Sequence, residues 1–292
     1  MGLNDDPLSL VTRPPICLSQ SRIKPLWLCP HNFIETYGLS GENADYGNDG
    51  SEDANVGIVL HALDAKYCEH CWQQKRKSDW VYLKKLADEA MELLPKHRRD
   101  KAMNVVAKIQ DSTLIDLRAQ DAQFEKRHAL RWPEFTRCEV GEPVDRLEGT
   151  FDKLFLYPGR AVLRDLKAGY SRHAGQFDED VFDDLQMLTY SFMVFQLYPD
   201  VQQVDAWLDF MAFGGNNHAS GTWTRETIET FEFDWYPEKF DLGPLTIRKL
   251  LNLSFERAAS LTSFPADGHW DVCRWCRLVC PKWQSIKEKY SG

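Results

Sequence analysis

Two aspartates and a lysine are spaced so that they could hold a divalent metal ion. Pro158-Gly159 suits the two central positions of a type II turn, which would join two short strands. Pairing outward from this turn places Asp152 directly opposite Asp165, and the side chains of opposed residues lie about 5 Å apart on one face. Lys167 follows two residues after Asp165, so it joins the same face if the strand continues.

Opposed carboxylates need a neutralising partner, because like charges that face each other across a strand pair destabilise it. Mg²⁺ would serve, since it prefers few carboxylate ligands and keeps several waters, which leaves room for phosphate oxygens and an attacking water. The ammonium group of Lys167 would orient that water or offset charge on the phosphate. The alternative is an exposed aspartate pair in a slipped register, because type II turns are not the favoured two-residue hairpin turns.

Three more residues are candidates for the same site. Gln186 and Tyr190 lie four positions apart in a predicted helix, so their side chains share one face. His61 lies on the first predicted helix of a basic region. A single helical histidine is more often a surface or core residue than a ligand, so His61 is a candidate ligand only in combination with the other residues of the site.

The spacing of apolar residues predicts the elements that must position these side chains. The N-terminal segment 21–37 reads as turns or short helices. The helical period, with apolar residues three and four apart, is found at 56–72, 80–94, 98–117 and 119–130. The hairpin strands span 151–157 and 160–165, and they are followed by a helix at 180–198, strands at 203–213 and 230–235, and a helix at 245–260.

The composition excludes a disordered chain, and the net charge argues against binding of nucleic acid through overall positive charge. The 292 residues are 43% hydrophobic and include 10 Trp and 16 Phe, which is typical of a packed globular protein. The net charge of -9 argues against histone-like binding, but Lys66 to Arg137 contains 16 basic and 11 acidic residues. This asymmetry indicates either a DNA-facing helical region or ordinary solvated helix faces. We see no export signal and no apolar run of about 20 residues, and we therefore expect a cytoplasmic protein without a membrane partner.

The cysteines are candidate metal ligands. Eight cysteines in a reducing compartment are more typical of free thiols or metal ligands than of a disulfide framework. Cys68-x-x-Cys71 together with Cys273-x-x-Cys276 would form a four-cysteine zinc site. Alternatively, Cys68 and Cys71 pack within the helix that follows His61. If the zinc site is present, the chain could instead be a zinc-stabilised protein in which the aspartate and lysine motif is a coincidence.

The order of these motifs is more specific than any one of them. The chain contains GxxxH at Gly57 to His61, G-x-x-D-K ending in Asp152-Lys153, D-x-K at Asp165 to Lys167, and QxxxY at Gln186 to Tyr190. Together, from about Ser19 to Cys280, they resemble the RecB-like branch of the PD-(D/E)XK nuclease superfamily, which includes AddB, CRISPR-associated RecB-like nucleases and phage recombination exonucleases. Ala168 differs from the threonine that is usual there, and leaves the aspartate and lysine intact.

The resemblance implies roles for individual residues. His61, Asp152 and Asp165 would bind catalytic Mg²⁺ or Mn²⁺, Lys167 would assist hydrolysis, and Gln186 and Tyr190 would lie beside the active site. The segment around Cys29-Pro30 is similar to the opening of the iron-sulfur members, in which one early cysteine joins three late ones. Here the cluster would be a 4Fe-4S cluster, with structural Zn²⁺ as the alternative. Its ligands would be Cys29, Cys273, Cys276 and Cys280.

We therefore expect an α/β fold in which a central mixed sheet is flanked by helices, as in restriction endonucleases. Within one integrated nuclease domain we expect an N-terminal segment at 1–55, a helical lobe at 56–134, a nuclease core at 135–240 and a C-terminal helix and cluster segment at 241–292. The expected activity is that of a sequence-nonspecific DNA exonuclease of recombination or repair, which acts on single-stranded or duplex ends with a possible helicase, recombinase or integrase partner. The DNA backbone would contact Lys75, Arg76, Lys77, Arg98 and Arg99. The alternative is a nuclease-derived DNA-binding or recruitment module with little or no cleavage.

Overall fold

The structure is a computed structural model that describes residues 13–39, 52–112, 115–167, 180–210, 217–234 and 242–261. Of the cluster ligands predicted from the sequence, Cys273, Cys276 and Cys280 lie outside the described residues. Within the described ranges, no helix is long and apolar enough to cross a membrane.

A mixed sheet of seven strands forms the centre of the fold. The strands run in the order β3-β2-β4-β5-β6-β7, and β1 pairs with β4 outside this path. The pairs β1 with β4 and β5 with β6 are parallel, whereas the other pairs are antiparallel. The seven strands are β1 Cys17–Leu18, β2 Asp121–Arg131, β3 Thr136–Cys138, β4 Arg146–Tyr157, β5 Arg160–Lys167, β6 Gln203–Phe210 and β7 Asn217–Thr224. A separate antiparallel pair consists of β8 Glu232–Asp234 and β9 Pro244–Thr246.

Helices lie against this sheet in two groups. The main core contains apolar residues of the sheet together with those of α1 Gln20–Leu28, α2 Pro30–Tyr37, α6 Asp180–Asp183, α7 Leu185–Leu197, α8 Arg225–Thr230 and α9 Ile247–Ser260. A second apolar cluster joins α3 Glu52–Gln73, α4 Trp80–Glu92 and α5 Lys96–Ser112. Leu166 of β5 belongs to this second cluster, so the α3–α5 layer packs on the sheet next to Asp165. The predicted fold class, a mixed sheet flanked by helices, is confirmed.

The hairpin predicted from the sequence is present with the predicted register. Tyr157 pairs with Arg160 across the turn, and Gly159 has a φ of 70°, the left-handed value that a type II turn requires at its third position. After β5 the chain returns through α7 to form the parallel strand β6, as parallel neighbours need a crossover connection. This crossover packs α7 on the sheet, and most of its side chains are buried.

The helix predicted at 119–130 is wrong, because these residues form most of β2. Phe124, Ala129 and Leu130 fit the helical period only loosely, and short apolar patterns do not separate helix from strand. Pairing decides the outcome: β2 bonds to β4 over nearly its full length and to β3 at its end. The segment therefore belongs to the sheet, although it lies within the region 56–134 that we expected to be helical.

The other elements differ from expectation mainly at their ends. The predicted helix at 98–117 corresponds to α5, which ends at Ser112. The predicted helix at 180–198 is divided into α6 and α7, because Asp184 caps α7 by accepting a hydrogen bond from the Met187 backbone N–H at 2.9 Å. Strand β7 was not predicted, since its sequence is polar and includes Gly221. The strand at 230–235 corresponds to β8, and the last helix to α9.

Candidate metal centre

Asp152 and Asp165 lie side by side on β4 and β5. The strands pair through Lys153 and Arg164, so the next residues outward from the turn are the two aspartates. Both aspartates are buried, and Asp152 Oδ2 accepts a hydrogen bond of 2.7 Å from the Leu166 backbone N–H. The register predicted from the sequence therefore brings the two carboxylates together inside the protein rather than at an exposed edge.

Lys167 and Gln186 complete one side of this carboxylate pair. Lys167 Nζ lies 2.7 Å from Asp165 Oδ2, and it also donates to Gln186 Oε1 at 2.7 Å. Gln186 in turn donates from its amide to Asp165 Oδ1 at 2.5 Å. The lysine ammonium is thus held by an ion pair with Asp165 and a hydrogen bond to Gln186, and Gln186 ties α7 to β5.

Tyr190 lies one helical turn after Gln186 and closes the inner side of the site. Its hydroxyl contacts the Thr150 backbone and the Gln186 side chain. Burial, followed by the charges of Asp165 and Asp152, raises its pKa, so the hydroxyl stays protonated. The ring leaves no room at Gly149, where an added Cβ would lie 2.8 Å from a Tyr190 ring carbon.

Burial and charge also raise the pKa of Asp165 to about 7. Desolvation is the larger cause, and the charge of Asp152 adds to it, whereas Lys167 acts in the opposite direction. Added positive charge would therefore favour the ionised form of Asp165. A divalent cation would supply that charge, and carboxylate oxygens suit Mg²⁺ or Mn²⁺.

His61 of α3 approaches the opposite side of Asp152. Its Nδ1 lies 3.2 Å from Asp152 Oδ2 and 3.1 Å from Glu125 Oε1. Burial lowers the pKa of His61, but the hydrogen bonds to Asp152 and Glu125 more than offset this effect and raise it to about 10. One potential ligand atom from each of His61, Glu125 and Asp152 lies within 4.8 Å of the others. This arrangement could hold a metal ion in place of the imidazole proton.

Glu125 is the site residue that the sequence reasoning missed. It lies in the middle of β2 with a φ of 45°, a left-handed conformation that is uncommon for residues other than glycine. Phe124 pairs with Lys153, and Lys126 pairs with Phe151, so Glu125 falls opposite Asp152 where the ladder is interrupted. If residues 121–131 are assigned to a strand that pairs with β4, the sequence places Glu125 beside the two hairpin aspartates.

The predicted DNA contacts lie in the α3–α5 layer: Lys75, Arg76 and Lys77 are on the connection from α3 to α4, and Arg98 and Arg99 are near the start of α5. Lys75 lies over the Trp72 ring at 4.0 Å, and Arg76 forms an ion pair of 3.2 Å with Asp79. Arg99 donates to the Leu94 carbonyl at 3.0 Å, and Arg98 is half-buried. Lys75, Arg76 and Lys77 are exposed. The contacts described for Lys75, Arg76 and Arg99 are within the α3–α5 layer, and the role of all five residues in binding DNA stays a prediction.

The cysteines divide between described and undescribed parts of the chain. Cys29 is buried at the junction of α1 and α2, where it is the N-cap residue of α2. Its three predicted partners lie outside the described residues, so the iron-sulfur cluster stays a prediction. Cys68 and Cys71 are buried in the apolar cluster of the α3–α5 layer, and burial raises the pKa of both thiols. The alternative zinc site also needs late cysteines, and it stays a hypothesis.

Comparison with known proteins identifies the family. The profile of the PD-(D/E)XK nuclease superfamily matches residues 17–281. The chain therefore belongs to the PD-(D/E)XK nuclease superfamily. No curated protein matches the chain.

Two solved structures are similar to the chain at low sequence identity. One, described as that of a candidate exonuclease from Eubacterium rectale, is 14% identical, covers 100% of this chain and 99% of its own, and has a TM-score of 0.49. The other, that of SSO0001, is 12% identical over 93% of this chain and 88% of its own, with a TM-score of 0.38. These likenesses are too distant to assign a substrate or a role to any residue.

Proposed function

We propose that this chain is a DNA exonuclease that hydrolyses phosphodiester bonds with bound Mg²⁺ or Mn²⁺. The observation that carries the proposal is the convergence of His61, Glu125 and Asp152, with ligand atoms within 4.8 Å of one another, beside the linked pair Asp165 and Lys167. Membership in a nuclease superfamily supports the same reaction class.

Each side chain of the site has a proposed part in hydrolysis. Asp152 lies between His61 and Asp165 and would be shared by the two halves of the metal site. The bound metal ion would polarise the scissile phosphate and lower the pKa of the attacking water. Lys167 would orient that water and offset charge on the phosphate, because its ammonium is held 2.7 Å from Asp165. Gln186 would hold the lysine and Asp165 in register through its two hydrogen bonds.

DNA would be held through its backbone and without reading sequence. Lys75, Arg76 and Lys77 are exposed next to α3, the helix that carries His61, and cations of this kind contact phosphates. Arg98 and Arg99 would add to this surface from the start of α5. The proposal also includes a role in recombination or repair and a helicase, recombinase or integrase partner. It further includes a 4Fe-4S cluster, whose ligands would be Cys29, Cys273, Cys276 and Cys280.

A digestion assay on end-labelled linear DNA tests the proposed function. The chain should degrade linear DNA to short products with Mg²⁺ or Mn²⁺, and a chelator should stop the reaction. Covalently closed circular DNA of the same sequence should survive, and rising salt should weaken the reaction, because phosphate contacts release counterions. Equal cutting of circles would identify an endonuclease instead. DNA binding without cleavage under any metal would identify the rival binding or recruitment module.

A further inference from the structure

We infer that a buried ion pair between Asp64 of α3 and Lys153 of β4 positions His61 against Asp152. Lys153 Nζ lies 2.7 Å from Asp64 Oδ2, and the two side chains are 4% and 3% exposed. The inference rests on the proposed function, because it assigns these two positioning residues to the proposed metal ligands next to them.

The ion pair and the proposed ligands lie close together on the same two elements, helix α3 and strand β4. Asp64 follows His61 by three residues on α3, so both side chains lie on one helix face, about 4.5 Å apart along the axis. Lys153 follows Asp152 directly on β4, about 3.3 Å further along the strand. Helix α3 therefore contacts two consecutive residues of β4, at 3.2 Å through His61 and at 2.7 Å through Asp64. Apolar packing holds α3 against the sheet, and the two polar contacts at consecutive residues of β4 add directional restraints on its rotation.

Neighbouring groups hold the ion pair in one arrangement. The second oxygen of Asp64 accepts a hydrogen bond of 3.5 Å from the Cys68 thiol, one turn further along α3. Asp64 is thus held at both of its oxygens, by Lys153 Nζ at one and by the Cys68 thiol at the other.

Stability alone does not account for this pair. Removing two charges from water costs several kcal/mol per ion, and an apolar pair of similar volume is often as stable or more stable. An apolar pair makes no directional contact, however, and would leave the fine rotation of α3 on β4 to apolar packing alone. Such outer partners of metal ligands typically contribute about 10-fold to 100-fold in metal affinity or activity. Asp64 and Lys153 therefore contribute to the geometry of the metal site more than to the stability of the fold.

The test replaces both charges at once, so that neither is left buried without its partner. The double variant Asp64→Leu/Lys153→Met should keep the melting temperature of the wild type or exceed it. Its affinity for Mn²⁺, measured by titration calorimetry, should fall about tenfold. On linear DNA, kcat should fall by a similar factor while KM for DNA stays unchanged, because the DNA contacts are elsewhere.

Two further variants make the test specific. Glu229→Leu/Arg248→Met removes an ion pair of 2.7 Å between α8 and α9, and should bind Mn²⁺ as the wild type does. Asp64→Asn/Lys153→Gln replaces the charges by two amides that can share a hydrogen bond, and should recover most of the lost Mn²⁺ affinity. Recovery of Mn²⁺ affinity by these uncharged amides would show that the pair acts by positioning His61 and not through its charges.

Three results would overturn the inference. Wild-type Mn²⁺ affinity in the folded Leu/Met variant would show that the pair does not position the site. An unfolded Leu/Met variant would show that the pair serves stability. A wild-type chain that binds no Mn²⁺ would remove the proposed function itself, and the inference with it. The first two results leave the proposed function standing, so the failures are distinguishable.

Discussion

Glu125 and Asp152 place carboxylate oxygens 3.1 Å and 3.2 Å from the same nitrogen of His61. The two acidic residues come from adjacent strands, and the histidine comes from a helix of the α3–α5 layer. The candidate metal centre is therefore assembled where two apolar clusters meet, from elements that are distant in sequence.

Glu125 should be a metal ligand that the recognised sequence motifs do not include. Glu125→Gln removes one anionic ligand and should weaken Mn²⁺ binding about tenfold, the lower end of the range for residues around a metal. Titration calorimetry measures the affinity. Glu232→Gln is the matched control, because Glu232 is an exposed strand glutamate on β8. Equal affinities of the two variants would remove Glu125 from the site.

Asp165→Asn or Lys167→Ala should lower DNA hydrolysis roughly 100-fold or more, because metal-assisted catalysis supplies several kcal/mol of transition-state stabilisation. The melting temperature of Asp165→Asn at neutral pH should be unchanged or raised, because the substitution removes a carboxylate whose ionisation is disfavoured by burial and by Asp152. Kinetics with end-labelled linear DNA measure the effect. Substantial cleavage by both variants would show that the hairpin is not catalytic.

The pKa of Asp165 also predicts a pH effect on the metal-free protein. Burial and Asp152 raise this pKa to about 7 from an ordinary value of about 4, so the folded state holds a proton that the unfolded state has lost. This group therefore lowers the free energy of unfolding as pH rises from about 4 to 7. Melting in a chelator at pH 5 and pH 8 should show a larger loss for the wild type than for Asp165→Asn. Parallel curves would contradict this prediction.

His128 should act in the opposite direction. Burial, followed by the charges of Lys126 and Arg137, lowers its pKa to about 4, while its ring stacks on Phe151 with centroids 4.7 Å apart. The unfolded chain binds the proton near pH 6.5, so stability is present above that pH and is lost as pH falls toward 4. His128→Phe should retain on the order of 1–2 kcal/mol more stability than the wild type at pH 4.5. Denaturant unfolding measures this difference, and equal stability of the two chains at pH 4.5 would contradict the prediction.

Gly149 and Gly57 should respond oppositely to alanine. At Gly149 a new Cβ would meet the Tyr190 ring at 2.8 Å and the Met193 sulfur at 3.1 Å, which should cost roughly 1–3 kcal/mol and displace α7 with Gln186. At Gly57, within α3, nothing lies within 4 Å, and alanine should stabilise the helix by up to about 1 kcal/mol. Denaturant unfolding of both variants measures the effects. A stable, fully active Gly149→Ala chain would show that Tyr190 can move without consequence.

The part of the site that could be predicted is the part that local chemistry determines. Pro158-Gly159 defines a turn, and a turn defines the register that opposes Asp152 and Asp165. Gln186 and Tyr190 share a face because helix geometry requires it. Their approach to the carboxylates followed from the family resemblance and not from spacing.

Glu125 could not be predicted in the same way, because its position depends on pairing with β4, some distance along the chain. The sequence of β2 fits two periods, and only the neighbouring strands decide between them. Asp64 and Lys153 were missed for a related reason: a buried ion pair has no pattern of its own in sequence. Strand β7 likewise depends on pairing with β6, and its Gly221 leaves room for the Phe182 ring rather than filling a core position.

The left-handed backbone at Glu125 has a consequence for how this chain can evolve. Residues other than glycine in this conformation cost about 1 kcal/mol or more, and such strain persists only where the surroundings impose it. Selection for stability alone would therefore favour glycine or asparagine at position 125, both of which adopt positive φ more readily than glutamate. In a library of variants selected for stability alone, glycine and asparagine should become more frequent at position 125, and the selected variants should bind metal more weakly. Stability and activity are thus opposed at this single position, and its substitution pattern would record which of the two has been selected.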